Sequence, residues 1–111
     1  MTPGDRQRVV AVVRALGEGE VSTYGDIAEM ASLPRQARFV GHVLASHDDD
    51  ELPWWRVVNA AGRLVPGLEA EQVSLLRAEG VVVAGGRVRW APGGRFSPAG
   101  RSPARTRAEG C

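Results

Sequence analysis

Residues 32–34, Ser-Leu-Pro, most tightly limit what this chain can become. A proline inside a helix removes a hydrogen bond and clashes with the preceding turn. The apolar-periodic stretches on its two sides therefore cannot form one helix. Before it, Ser22 or Thr23 can cap a short helix with Asp26 near the first turn and Ile27, Ala28 and Met30 to bury. After it, a second helix is predicted over residues 34–46, with Val40, Val43 and Leu44 toward a core. Two short helices joined by so tight a turn predict a helix-turn-helix unit.

The remaining elements follow from the same kind of punctuation. Thr2, Pro3 and Asp5 read as an N-cap, a first helical residue and an acid suited to the helix dipole. Val9, Val10, Val12, Val13 and Leu16 continue that helix to about residue 16, and Gly17 and Gly19 end it. RVVN and RLVP, flanking AAG, predict a short strand, a turn and a second extended piece. GLEAEQVSLLRAEG reads as a last helix with Val73, Leu75 and Leu76 apolar and Gly80 as its stop. VVVAGGRVRW predicts a hairpin turning at Gly85-Gly86. The fold class expected is mostly α with small β: a winged-helix-like helix-turn-helix domain with a short C-terminal hairpin. Residues 1–91 form that domain. Residues 92–111, rich in Arg, Pro and Gly and poor in apolar anchors, are expected as a disordered tail.

Several function classes fall away. No apolar run approaches a membrane span, and the N-terminal MTPGDRQR has no apolar core of a signal peptide, so a cytoplasmic setting without membrane contact is expected; the chain is expected to act as a monomer. In a bacterium that setting would include the nucleoid. The only cysteine is Cys111, which supports neither a disulfide framework nor a zinc site. His42 and His47 lack a third ligand at metal spacing, and the acidic run Asp48 to Glu51 reads as a solvated loop. No cofactor or metal is expected. Residues 1–90 carry ten arginines against twelve acids, residues 91–111 four arginines against one, and the chain has no lysine. Arginine suits phosphate contact and base stacking, but this balance does not announce a nucleic-acid binder.

Two features remain unexplained by folding alone. Ala37, Gly41 and Ala45 recur at i, i+4 and i+8, a stripe of small residues with Arg38 beside it. Glycine costs a helix roughly 1 kcal/mol relative to alanine. Such a stripe lets the helix backbone approach something closely, another helix being the plainest partner. Then LPWWRVVN sets two tryptophans side by side, and successive strand side chains point to opposite faces. Either one Trp is core and the other covers it, or they wall the mouth of a pocket where aromatic faces stack on bases.

In order and spacing, GEVSTYGDIA, ARFVG, PWWRVVNAAGR and LLRAEG resemble the C-terminal domain of the O6-alkylguanine-DNA alkyltransferases, over residues 2–90. That family's active loop reads Pro-Cys-His-Arg-Val, its cysteine taking the alkyl group. Here Trp54 stands at the cysteine position, the mark of the alkyltransferase-like proteins, which resemble the repair enzymes but accept no alkyl group. The resemblance implies roles. Tyr24 stands where the family tyrosine crowds the 3′ phosphate of the target nucleotide. Arg38 stands where an arginine fills the gap left in the base stack. The small stripe Ala37, Gly41 and Ala45 lets its helix enter a minor groove about 6 Å wide. Pro53, Trp54, Trp55, Arg56 and Val57, with Tyr24, line the pocket that takes the flipped base, and the Val58–Val65 segment lies opposite. Trp55 replaces the histidine that activates the thiol. Glu79 matches the glutamate supporting that histidine. With the histidine gone this duty lapses, leaving Glu79 to bond a backbone group or Arg56.

The implied function is a non-enzymatic DNA damage sensor. It binds duplex DNA in the minor groove, flips O6-alkylguanine into a pocket and presents it to nucleotide excision repair proteins. An enzyme would need an alkyl acceptor, and Cys111 is the only thiol. The competing reading is a winged-helix transcription regulator without lesion preference, reading bases through Arg35, Gln36 and Arg38.

Overall fold

The computed structural model describes residues 2–47 and 51–98. The carboxylates Asp48 to Asp50 and the stretch 99–111 lie outside the described residues, and with them the expectations of a solvated acidic loop and a disordered tail there.

Helix α1 (Pro3–Arg14) starts on a reciprocal cap. The Thr2 hydroxyl accepts the Asp5 amide at 3.1 Å and the Asp5 carboxylate accepts the Thr2 amide at 3.0 Å. Val9 and Val13, four apart, are fully buried. Strand β1 (Glu20–Thr23) runs straight into α2 (Tyr24–Met30). The cap is Thr23, whose hydroxyl takes the Asp26 amide at 3.1 Å, while Ser22 is buried in the strand. Ile27 and Ala28 are buried as expected, but Met30 is 56% exposed. Met30 instead lines an open groove beside β1, and in the turn that follows, Ser32 and Arg35 adopt positive φ (62° and 67°). They delay the next helix. Arg35 in the left-handed region cannot be helical, so α3 runs Ala37–Ala45 rather than from residue 34. Val40 and Val43 are buried, and Leu44 is half-buried against the same core.

A three-stranded parallel sheet ties the domain together. β1 lies at its centre, between β2 (Val57–Val58), which follows a single 3₁₀ turn at Trp54–Arg56, and β5 (Gly93–Gly94). Adjacent β2 residues point to opposite faces, and each serves a different core. Val57 joins Val9, Val13, Ile27, Val40, Val43 and Leu52 among the helices. Val58 joins Val21, Leu64, Leu76, Val83, Val88 and Ala91 beneath α4 (Glu69–Ala78) and the hairpin of β3 (Val82–Ala84) and β4 (Arg87–Trp90). Gly85 and Gly86 both have positive φ, as a tight hairpin turn of the favoured hand requires. The second extended piece expected after AAG is only a single bridge, Arg63 to Arg87.

Residues 92–98 correct the expected domain boundary. Gly93 and Gly94 pair with Glu20 and Val21, the Arg95 amide donates to the Val21 carbonyl at 2.8 Å, Phe96 packs on the second core and Ser97 is buried. Their glycine-rich composition reflects closeness, not disorder. Gly94 has φ +83°, and any Cβ there would overlap the Val21 carbonyl oxygen. The molecule is a helix-turn-helix carrying a β-hairpin and small sheets, as the sequence predicts.

Candidate functional site

The resemblance placed six residues in one pocket, and the structure divides them. A cavity of about 410 Å3 opens where α2, α3 and two loops meet. Tyr24 contributes from the first position of α2. Gly41, Leu44 and Ala45 contribute from α3, and His47 follows its end. Trp54 forms a second wall and Val65, Pro66 and Leu68 a third. The volume and mixed lining, mostly apolar with a few polar tips, suit a flat heteroaromatic ligand. Burial pushes the Tyr24 phenol above its ordinary pKa, so a neutral hydroxyl sits at the rim.

The other expected liners do different work. Pro53 and Val57 are buried and hold the turn from behind. Trp55 packs against the second core, its ring edge-on to Trp54 with centroids 6.2 Å apart and planes at 89°. This answers the question the tryptophan pair raises: one faces the cavity, the next faces the core.

Glu79, just past α4, holds that inner side. Its carboxylate accepts the Trp55 indole N–H at 2.9 Å, the Gly19 amide at 2.8 Å, and Arg56 through Nε at 3.0 Å and Nη2 at 2.7 Å. Arg56 also donates to the Leu16 carbonyl at 2.8 Å and lies 5.3 Å from the Trp55 ring centroid. The bonds expected of Glu79, to a backbone group and to Arg56, are both present; the expectation that its ring-supporting duty lapses is corrected, because the Trp55 indole N–H donates to it. Burial alone would raise the Glu79 pKa. The hydrogen bonds from Arg56, Gly19 and Trp55 outweigh it and hold the carboxyl below the ordinary glutamate value.

The outer face of α3 is as bare as its sequence predicts. Ala45 is exposed, and Ala37 and Gly41 are half-covered. A Cβ at Gly41 would meet only the Tyr24 ring, at 3.9 Å, an ordinary contact, so the protein's own packing does not require glycine there. Arg35 and Arg38 are exposed and pair with no described residue.

Sequence reasoning missed Leu44, His47, Pro66 and Leu68 as cavity residues, and it missed Gln72 behind the cavity. Gln72 lies four residues before buried Leu76, a spacing that puts it on the inward face of α4. A larger open groove, about 640 Å3, lies beside β1 and α2, but Glu20, Asp26 and Glu29 line it, with Arg95 held on Asp26 at 2.7 Å, a poor surface for a phosphate backbone. Among the described residues no group of three His, Cys, Asp or Glu could hold a metal ion, and no helix is long and apolar enough to cross a membrane.

Residues 5–81 match the family described as 6-O-methylguanine DNA methyltransferase, DNA binding domain. The chain is 46% identical over 94 residues to the DNA base-flipping protein of Escherichia coli (strain K12), covering 76% of this chain and 72% of that one. Its structure is similar to S. pombe Atl1 in complex with damaged DNA containing O6-carboxymethylguanine. The TM-score is 0.70 at 31% identity, over 76% of this chain and 82% of that one. It is also similar to Mycobacterium tuberculosis OGT in complex with DNA, with TM-score 0.64 and 29% identity, over 71% of this chain and 51% of that one.

Proposed function

This chain belongs to the family of the 6-O-methylguanine DNA methyltransferase DNA-binding domain, and from that premise we propose that it is a non-enzymatic sensor of alkylated DNA. The observation that carries the reading is the cavity, where Tyr24, the bare face of α3 and Trp54 meet. Helix α3 enters the minor groove on Ala37, Gly41 and Ala45. Arg38 fills the gap in the stack, and Tyr24, as a neutral phenol, crowds the phosphate of the nucleotide that rotates out. The flipped base enters the cavity against Trp54. Flipping costs a few kcal/mol, less for a base whose pairing is already weakened, as an O6-alkyl group does to guanine. An indole holds no nucleophile, so the alkyl group stays on the DNA and the complex persists. Relatives named for base flipping, and one solved with O6-carboxymethylguanine DNA, support this reading. The persistent complex is a signal for nucleotide excision repair proteins, and the protein acts as a cytoplasmic monomer.

The test is equilibrium binding, at fixed salt, to two duplexes identical except for one O6-methylguanine, followed by mass spectrometry of the protein. The expected result is a clear preference for the lesion, no gain of mass, and an alkyl group still on the DNA. Arg38→Ala and Tyr24→Ala should each weaken lesion binding. Equal affinity for the two duplexes would replace this reading with that of a general DNA binder or regulator. A gain of one methyl on the protein would make it an enzyme.

A further inference from the structure

Gln72 is fully buried in α4, and among the described residues it is the only buried amide side chain. Burying a primary amide is costly unless its donors and acceptor are satisfied. Here they are met by two separate segments. The side-chain Nε2 donates to the Trp55 carbonyl at 3.1 Å and the Val57 carbonyl at 3.2 Å. The side-chain Oε1 accepts the Val65 amide at 2.7 Å. The first two partners bracket the turn that follows Trp54. The third belongs to the Val65-Pro66-Leu68 wall across the cavity. Pro66 has no N–H, and Leu68 donates back to Val65 within its own turn. Among the described residues, Gln72 supplies the hydrogen bonds that reach from this wall to the Trp54 turn.

We infer that Gln72 is a positioning residue that sets the separation of the two walls, and so selects which base and which alkyl group the cavity accepts. This rests on the reading of the cavity as the lesion pocket. One amide of fixed length makes three hydrogen bonds, two to the Trp54 turn and one to the Val65 wall, so neither can shift without breaking one of them. Gln72 touches no part of the cavity surface itself, and its effect on the ligand is exerted through Trp54 and Val65. It should therefore leave the grip of α3 on an undamaged duplex alone. An apolar residue of the same length would fill the space but leave two carbonyls and an amide unsatisfied, and the walls would relax toward water.

The experiment compares wild type with Gln72→Met and Gln72→Glu on duplexes carrying guanine, O6-methylguanine or O6-benzylguanine, with a thermal melt of each protein. The glutamate variant keeps the acceptor for Val65, but as a carboxylate it cannot donate to the two carbonyls. The expected result is a loss of lesion preference on the order of tenfold in folded Gln72→Met, the scale of a buried hydrogen bond left unmade. Affinity for the unmodified duplex should be unchanged, and the preference between methyl and benzyl adducts should flatten. A folded variant with wild-type preference for both adducts would overturn the proposal. Equal weakening on all three duplexes would overturn it too, as the mark of a merely structural residue. If neither variant folds, amide exchange in the wild type decides. Slow exchange at Val65 supports the bridge, and exchange as fast as an open loop refutes it. Absence of lesion preference in the wild type with a protected Val65 amide would instead refute the pocket's function and leave the bridge standing.

Discussion

Glu79 gathers donors from Trp55 and Arg56 in the turn before β2 and from Gly19 before β1, so a single carboxylate past α4 ties two other segments to its own. Its folded pKa lies below the ordinary value. Its stabilisation is therefore present above the unfolded-state pKa and lost as pH falls through the lower, folded one. Glu79→Gln should cost roughly 2 kcal/mol at neutral pH, the scale of hydrogen bonds to a charged group. Its urea-unfolding stability should converge on wild type as pH drops below the glutamate range. A difference that stays constant with pH would mean the charge is not what Glu79 contributes. At this scale the site was half legible. Of the six pocket residues the resemblance implied, Trp54 and Tyr24 line the cavity, joined by Gly41 and Ala45, which it had given only to the minor-groove face. Trp55 and Arg56 turn instead to Glu79, more than twenty residues on; the resemblance offered Arg56 as its partner, but nothing in the local pattern announces the Trp55 bond.

Helix α3 trades stability for access. Gly41 sits in a helix interior with an ordinary contact waiting for a methyl group. Gly41→Ala should thus raise stability by up to about 1 kcal/mol. On the proposed reading the same methyl stands between the helix and the groove floor and should lower affinity for damaged and undamaged duplex alike. A calorimetric melt and one binding titration test both halves. A gain in stability with unchanged affinity would make the stripe a packing feature only. Helices were the most legible elements because capping and apolar spacing are local signals. The start of α3 was misplaced because a left-handed Arg35 leaves no trace in composition. The parallel sheet was not foreseen. Its strands are two to four residues long and their partners are far apart in the chain, so no period marks them.

The molecule as a whole rests on two apolar cores divided by β1 and β2, and the second is closed by residues that composition had assigned to a tail. A chain ended after Pro98, which keeps β5 and Phe96, is the reference. Ending it after Ala91 removes β5 and Phe96 and uncovers the second core. The expected cost is at least about 2 kcal/mol, or roughly 10 °C in Tm for a domain this small. Equal melting of the two truncations would return residues 92–98 to the tail. Gly94 carries this closure to relatives of the chain. Its φ of +83° and the nearness of the Val21 carbonyl leave no room for a side chain. The matched family segment ends at residue 81, before this strand begins. The residue a relative carries at this point is thus a diagnostic letter: a homologue without glycine there cannot close its second core this way. One position therefore gives a criterion for this closure that overall similarity does not supply.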